Sequence, residues 1–310
     1  MADSEKKRFP VWREMWKNDF YRYLLIFIFA AWAFVAILLV FIDLQISISF
    51  IELKNQGEEV LWGEVMADYG EYPGYLMILI SVVLLSGTIN RDGHKKYIVI
   101  YLVSFIGLFM FLEELISQLL DHGNLEGMAF YYYLFPFIFL GLGFFFYYFI
   151  INKYNPEKFQ PYANFAKITL IMGIFYALIT IQVLKLIWGR VRPRDLSPLY
   201  TDFTPWYVIN GYNGNQSFPS GHTAMGWMLL PLICLAKDRK NKIVKWGLIA
   251  TSIFWGFFTA ASRIVVAAHY TSDTLFATGI ACIFFIYFYY RFHNYSSSSK
   301  QKQNSSISEN

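Results

Sequence analysis

The stretch Arg22-Tyr-Leu-Leu-Ile-Phe-Ile-Phe-Ala-Ala-Trp-Ala-Phe-Val-Ala-Ile-Leu-Leu-Val-Phe-Ile42 decides the class of fold. No charged residue follows Arg22 within it. A helix needs about 20 mostly apolar residues to cross a hydrocarbon core of about 30 Å, and this stretch meets that length. It is too long for a cleavable signal peptide and no small-residue cleavage pattern follows it. The stretch therefore predicts a transmembrane helix.

The composition extends that prediction to the whole chain. Of 310 residues, 56% are hydrophobic, 20% aromatic and only 15% charged, whereas soluble domains carry about 25% charged residues. This excludes a disordered chain, a coiled coil, a disulfide-rich secreted scaffold and an ordinary soluble domain. Cys234 and Cys282 lie in apolar runs and are interpreted as packing residues.

Further apolar windows predict an all-α, polytopic membrane bundle of about eight transmembrane helices. The windows lie near residues 22–42, 74–90, 97–118, 129–151, 167–188, 222–237, 244–262 and 270–291. Windows 74–90 and 222–237 are short, which suits tilted or re-entrant segments. Beyond the last window, the Ser-, Gln- and Asn-rich residues from Ser296 onward are expected to be disordered.

The positions of the basic residues predict the orientation in a cell membrane. With the N-terminus in the cytoplasm and eight alternating spans, 20 of the 26 basic residues fall on the cytoplasmic side. This agrees with the positive-inside rule and puts both termini in the cytoplasm. The outer loop 43–73 is acidic, and its Leu61, Trp62, Val65 and Met66 predict a short interfacial helix.

Five of the six basic residues on the outer side lie on two of three polar segments: Lys185, Arg190, Arg192 and Arg194 on the first, and Arg263 on the third. In the first, Lys185 and Arg192 are seven residues apart and share a helix face, and Pro193 is expected to end the helix. Side chains reaching the outer headgroups explain this segment as well as a functional site does.

The second segment, Ser217-Phe-Pro-Ser220-Gly221-His222, begins the sixth span. A hydroxyl residue and a glycine at a helix N-terminus offer free N–H groups, which is the outline of an anion site. A serine N-cap with His222 pointing at the interface is the simpler reading of this segment alone.

The third segment contains Arg263, His269 and Asp273. His269 and Asp273 are four residues apart, so a helix places them on one side. A carboxylate beside an imidazole fixes its tautomer and raises its basicity, although a hydrogen bond that only joins two helices has the same pattern. All three segments reach the outer surface, and together they suit a phosphate group.

Together, Lys185-x6-Arg192-Pro193, Pro219-Ser220-Gly221-His222 and Ser262-Arg263-x5-His269-x3-Asp273 resemble the three-part signature of the type 2 phosphatidic acid phosphatase superfamily. The superfamily includes lipid phosphate phosphatases, glucose-6-phosphatases, bacterial acid phosphatases and vanadium haloperoxidases. The resemblance covers about residues 167–291 and places the catalytic core in the last four to six helices. Members in membranes commonly have six spans, so residues 22–96 are interpreted as an additional pair.

The resemblance implies a role for each signature residue. His269 is implied as the nucleophile that forms a phosphohistidine, Asp273 as the group that orients its ring, and His222 as the general acid. The phosphate oxygens are expected to be held by Lys185, Arg192, Ser220, Gly221 and Arg263. Three fixed cations supply what Mg²⁺ supplies elsewhere, so no metal and no cofactor is expected.

The implied activity is hydrolysis of a lipid phosphate at the extracytoplasmic surface. Phosphatidate, phosphatidylglycerophosphate and undecaprenyl pyrophosphate all fit, and a sugar phosphate fits less well. The alternatives are a phosphotransferase that passes the group to a lipid or sugar acceptor, and a transporter, whose site would lie nearer the bilayer midplane. A haloperoxidase fits least. The expected partners are the substrate and membrane lipids, not nucleic acid, and the oligomeric state is left open.

The domain prediction has four parts: a cytoplasmic segment 1–21, the additional pair 22–96, the phosphatase membrane domain 97–292 and the tail 293–310. Outside the signature, Arg190 and Arg194 are expected to contact lipid headgroups. Glu113 and Glu114 are expected to form a structural ion pair with a basic residue. The aromatic loop 200–207 either covers the site or anchors the chain at the interface.

Overall fold

A computed structural model describes residues 11–58, 60–88, 149, 153–237 and 239–295. Throughout these ranges the regular structure is helical, and no strand occurs in them, so the predicted all-α bundle is confirmed. The predicted spans 97–118 and 129–151 (apart from Phe149), Glu113, Glu114 and the tail from residue 296 lie outside the described residues.

The α-helices of the described part have the following bounds. They are Val11–Lys17, Asp19–Asn55, Leu61–Tyr69, Tyr72–Gly87, Ala163–Ile171, Ile181–Trp188, Gly221–Gly226, Leu232–Ala236, Lys242–Val265 and Thr271–Tyr289. Wider π-helical turns occupy Met172–Thr180 and Tyr290–Tyr295, and single 3-10 turns occupy Pro156–Lys158, Gln160–Tyr162, Pro193–Asp195 and Trp227–Leu229.

Within the described residues, five helical segments are long and apolar enough to cross a membrane. They are Asp19–Asn55, Leu61–Gly87, Pro156–Asp195, Lys242–Val265 and Thr271–His293, and the shorter apolar segment Gly221–Ala236 accompanies them. These six segments correspond to six of the eight predicted spans. The remaining two predicted spans are those that lie outside the described residues.

The first long helix extends further than the sequence predicted. The expected outer loop began at residue 43, but the helix runs from Asp19 to Asn55, so that boundary was wrong. Asp43 and Ser47 lie one turn apart on one buried face, and the Ser47 hydroxyl donates to the Asp43 carbonyl (3.0 Å). The apolar window ends at Asp43 because this residue is charged. The helix nevertheless continues past Asp43, because the side chain is buried among polar partners.

The predicted short helix of the outer loop is present as Leu61–Tyr69. Its Leu61 is 76% exposed, whereas Met66 and Ala67 are buried. A Cβ on Gly63 would come within 2.6 Å of the Val265 side chain, so this helix packs closely on the end of Lys242–Val265. Its location in the membrane interface stays a prediction.

Small residues allow the membrane-type helices to pack closely around Trp227. A Cβ on Gly256 would lie 2.4 Å from the Trp227 ring, and the indole N–H of Trp227 donates to the Thr278 hydroxyl (2.8 Å). Tyr176 is fully buried and donates to the Ala277 carbonyl (2.8 Å). Such contacts join helices in an apolar solvent, where hydrophobic burial drives little association.

The loop 196–216 is attached to the bundle through its aromatic residues. The indole N–H of Trp206 donates to the Ala36 carbonyl (2.9 Å), and its ring packs on Phe276. Phe203 meets Tyr270 edge to face. This loop therefore connects the first long helix with the last one, at the end of the bundle where the three signature segments lie.

Candidate active site

Backbone hydrogen bonds bring the three signature segments together. The Ser217 N–H donates to the Arg190 carbonyl (3.0 Å), and the Arg194 N–H donates to the Ala267 carbonyl (3.0 Å). The Ser220 N–H donates to the carbonyl of Asp273 (3.2 Å). Segments separated by up to about 80 positions in the chain are thus joined at one end of the bundle.

The Asp273 carboxylate accepts a hydrogen bond from each of the three signature segments. Its Oδ1 accepts from Arg190 Nη1 (2.7 Å), and its Oδ2 accepts from the Ser217 hydroxyl (2.5 Å) and the Tyr270 N–H (3.1 Å). The side chain is fully buried. Because a buried carboxylate requires charged or donor partners, these three bonds account for its burial.

His269 lies in the short connection 266–270, between the helices that end at Val265 and begin at Thr271. Its side chain is 2% exposed, and its Nδ1 is 3.5 Å from Asp273 Oδ2. Nδ1 has no hydrogen-bond partner among the described residues, so this contact is looser than a formed hydrogen bond. Catalytic hydrogen bonds are often long before substrate binds. Because Nδ1 faces Asp273, the other ring nitrogen, Nε2, points away from it.

Burial sets the protonation state of His269. It lowers the pKa of the imidazole from 6.5 to about 4, although Asp273 opposes this shift. The ring is therefore neutral at physiological pH. A neutral imidazole has a lone pair on one nitrogen, as a nucleophile requires.

His222 lies on the same side of the cluster and has an unexpected acidic neighbour. Its Nδ1 is 3.6 Å from Glu71 Oε2, and Glu71 comes from the turn just before the Tyr72–Gly87 helix. Glu71 is 7% exposed. A buried carboxylate beside an imidazole fixes the orientation of the ring.

Lys185 lies against the glycine of the second segment. A Cβ on Gly221 would be 3.1 Å from the Lys185 Nζ, so the absence of a side chain there lets the ammonium group approach the helix start. The Ser220 hydroxyl caps this helix, accepting from the Thr223 N–H (3.3 Å) and the Thr223 hydroxyl (2.9 Å). The remaining N–H groups at the start of this helix lie beside a cation, an arrangement that favours an anion.

Arg263 is held by the short helix of the outer loop. It is 6% exposed, and its Nη1 donates to the Ala67 carbonyl (3.1 Å). Its Nε has no hydrogen-bond partner among the described residues. In the described part of the chain, neither Lys185, Arg192 nor Arg263 forms an ion pair within 4 Å.

Arg190 has the opposite environment, and its predicted contact with headgroups is wrong. It is fully buried, and it forms ion pairs with Asp273 (2.7 Å) and Asp43 (3.0 Å). Its Nε donates to the Thr204 carbonyl (2.8 Å). The charge lies on the inner face of its segment, where two carboxylates neutralise it. The headgroup contact of Arg194, which is exposed, stays a prediction.

The sequence pattern did not single out several residues of this cluster: Asp43, Glu71, Ser217 and Ser272. Asp43 had a usable signal, because an ionisable residue beside an apolar run is a functional candidate by default. Glu71 was one of several acidic residues in the 43–73 loop, and nothing in the sequence separated it from the others. Of the described residues, no group of three or more His, Cys, Asp or Glu is arranged to hold a metal ion.

The fold and the cluster define a class: a polytopic helical protein of membrane type with a neutral histidine, a carboxylate and cations that form no ion pair among the described residues. Residues 166–297 match the family model described as PAP2 superfamily, so the recognition made from the three segments is confirmed. The match supports a phosphatase-type hydrolase of lipid or sugar phosphates in general. Comparison with curated proteins and with solved structures gives no significant match.

The low pKa of His269 predicts a pH-dependent contribution to stability. As the pH falls below 6.5, the unfolded chain binds a proton at this histidine, whereas the folded chain does so only near pH 4. Stability is therefore lost as the pH falls through that window, by about 3 kcal/mol in total. His269→Asn removes this contribution, so its stability is expected to fall less over the same window. Thermal unfolding of both proteins in detergent, followed by fluorescence, measures the difference.

The other histidines are present in both proteins. Removal of His269 also removes its repulsion of a protonated His222, and this change acts in the same direction, because it too lessens the loss of stability in acid. Parallel pH profiles for the two proteins would contradict the prediction.

Proposed function

We propose that the protein is an integral-membrane phosphatase that hydrolyses a lipid phosphate monoester or pyrophosphate through a phosphohistidine. The observation that carries this proposal is the contrast between cations. Arg190 is neutralised by two carboxylates, whereas Lys185, Arg192 and Arg263 lie on the same signature segment as His269 or on the segments joined to it, and form no ion pair among the described residues. Such an arrangement favours a multiply charged anion next to a nucleophile.

The first chemical step is transfer of the phosphoryl group to His269. Nδ1, which faces Asp273, carries the proton, and the Nε2 lone pair attacks phosphorus. The N–P bond forms while the P–O bond to the leaving group breaks. His222, which takes up a proton when the phosphate anion binds beside it and Glu71, donates that proton to the leaving oxygen. The carboxylate of Asp273 stabilises the positive charge that develops on the ring.

In the second step a water molecule attacks the phosphohistidine. His222, now neutral, accepts a proton from the water, the N–P bond breaks and His269 recovers its neutral form. Inorganic phosphate is the product. Lys185, Arg192 and Arg263 stabilise the charge on the equatorial oxygens in both steps, with the Ser220 hydroxyl and the Gly221 N–H directed at the same oxygens.

A lipid substrate is supported by the surroundings of the cluster. The segments that hold it end or begin apolar helices, and a lipid phosphate lies at the depth where such helices meet water. Large apolar side chains are exposed on the adjoining loops, among them Leu61, Leu199, Tyr207, Ile209 and Tyr212. Side chains of this kind suit the membrane interface.

Replacement of the nucleophile provides the central test. His269→Ala is expected to abolish release of inorganic phosphate from phosphatidate in detergent micelles, because no other described residue occupies its place beside Asp273. The wild-type protein is expected to release phosphate without an added acceptor and to turn over glucose 6-phosphate more slowly. Colorimetric phosphate assays measure both.

His293→Ala is the matched control, because His293 lies at the other end of the last helix, beside Tyr289. This variant is expected to retain wild-type activity. Phosphate release by a folded His269→Ala protein would refute the mechanism, and release only after addition of an acceptor would identify a phosphotransferase.

The proposed chemistry requires no metal, because three side-chain cations stabilise the charge of the transferred group. Treatment with EDTA is expected to leave the rate of phosphate release unchanged. Vanadate mimics the trigonal-bipyramidal phosphorus and is expected to inhibit. Both are measured in the phosphatidate assay. A loss of activity in EDTA that Mg²⁺ restores would contradict the metal-independent mechanism.

We further propose that the cluster faces the extracytoplasmic side of the cell membrane and that both termini are cytoplasmic, because the basic residues concentrate at the opposite end. Tyr212 is 80% exposed beside the cluster, and Lys240 is exposed at the other end. A membrane-impermeant maleimide is expected to label Tyr212→Cys in intact cells, but Lys240→Cys only after permeabilisation.

The wild-type protein is the control in this experiment, since its Cys234 is buried and Cys282 is half-buried. The reverse labelling pattern would overturn the proposed orientation.

A further inference from the structure

The first long helix contributes a buried carboxylate to the candidate active site. Asp43 is 1% exposed and lies well outside residues 166–297, which match the family model. It is not part of the three signature segments. Its burial therefore has to be explained by the contacts that it makes with them.

Both oxygens of Asp43 accept hydrogen bonds from the signature segments. Oδ2 accepts from Arg190 Nη2 (3.0 Å) and from the Ser272 hydroxyl (2.6 Å), and Oδ1 accepts from the Ser272 N–H (3.0 Å). Arg190 Nη1 in turn donates to the same Ser272 hydroxyl (2.7 Å). The carboxylate thus binds the residue immediately before Asp273 and the guanidinium that contacts Asp273.

The ring contacts of Arg190 leave few orientations open to its guanidinium. The guanidinium carbon lies 3.7 Å from the centre of the Tyr270 ring and 5.5 Å from that of Phe203. These aromatic faces define the plane in which the group lies, while Asp43 and Asp273 determine its direction within that plane. Without Asp43, one edge of a fully buried guanidinium would lose its partner.

We propose that Asp43 is a positioning residue of this active site. It holds Arg190 and the first turn of the last helix so that Asp273 presents its Oδ2 to His269. It also shares the positive charge of Arg190, which would otherwise be directed at Asp273 alone and weaken the support that Asp273 gives to the imidazolium. The inference rests on the proposed function, and it makes the first helix part of the catalytic apparatus.

Asp43→Asn tests this role, because the amide preserves the size of the side chain but removes its charge and one acceptor. We expect kcat for phosphatidate to fall about tenfold to a hundredfold, the range found when a partner behind a functional histidine is removed. KM is expected to be unchanged, because Asp43 contacts none of Lys185, Arg192 and Arg263. The rate is expressed per site that binds vanadate, so a smaller folded fraction does not imitate a catalytic defect.

Ser47→Ala is the matched control on the same helix. Ser47 is equally buried, but its hydroxyl bonds only to the Asp43 backbone carbonyl among the described residues. We expect its kcat per site to equal that of the wild-type protein. Asp43→Glu restores the charge and is expected to recover part of the activity lost in Asp43→Asn.

Ser272→Ala provides a second route should Asp43→Asn fail to fold. It removes the hydroxyl that joins Asp43 to Arg190, without changing any charge, and is expected to lower kcat per site about threefold to tenfold at unchanged KM. A wild-type kcat per site in Ser272→Ala and in any folded Asp43→Asn would overturn the inference.

The proposed function is judged separately. If His269→Ala is inactive and Asp43→Asn turns over like the wild-type protein per site, only the positioning role is refuted. If the wild-type protein releases no phosphate, the proposed function fails, and the positioning role fails with it.

Discussion

The buried carboxylate of Asp273 is the group on which the rest of the site depends. It accepts from Arg190 of the first signature segment, from Ser217 of the second and from the backbone of Tyr270 in the third. A carboxylate that is removed from water must be satisfied within the protein. The hydrogen bonds that satisfy it therefore join three segments that are distant in the chain. The same carboxylate lies 3.5 Å from the Nδ1 of His269.

The cations near that carboxylate are of two kinds: one is neutralised inside the protein, and the others are available to bind an anion. Arg190 is enclosed by two carboxylates and two aromatic rings, so its charge is used inside the protein. The other three cations of the cluster, Lys185, Arg192 and Arg263, form no ion pair among the described residues. The Lys185 ammonium group lies against Gly221, where a side chain would crowd it. In a site of low dielectric constant, unpaired cations bind an anion strongly.

Much of the fold and of the site could be predicted from the sequence, because both depend on short-range patterns. Apolar length predicted the membrane-type helices. The spacing predicted that His269 and Asp273 share one helix face, whereas His269 lies in the connection before the last helix and approaches Asp273 in its first turn. The prediction was wrong where a polar residue is buried by a distant partner. Asp43 was taken as the start of a loop, and Arg190 as a headgroup contact, because each has its partner more than 80 positions away in the chain.

Apolar length and motif spacing predicted the all-α membrane bundle and the family model that residues 166–297 match. They did not predict which cations are neutralised, which acidic residues lie in the candidate site or how far the first helix extends. Apolar length and local spacing are properties of neighbouring residues. The pairing of a buried charge, by contrast, depends on which distant groups the fold brings within about 3 Å of it.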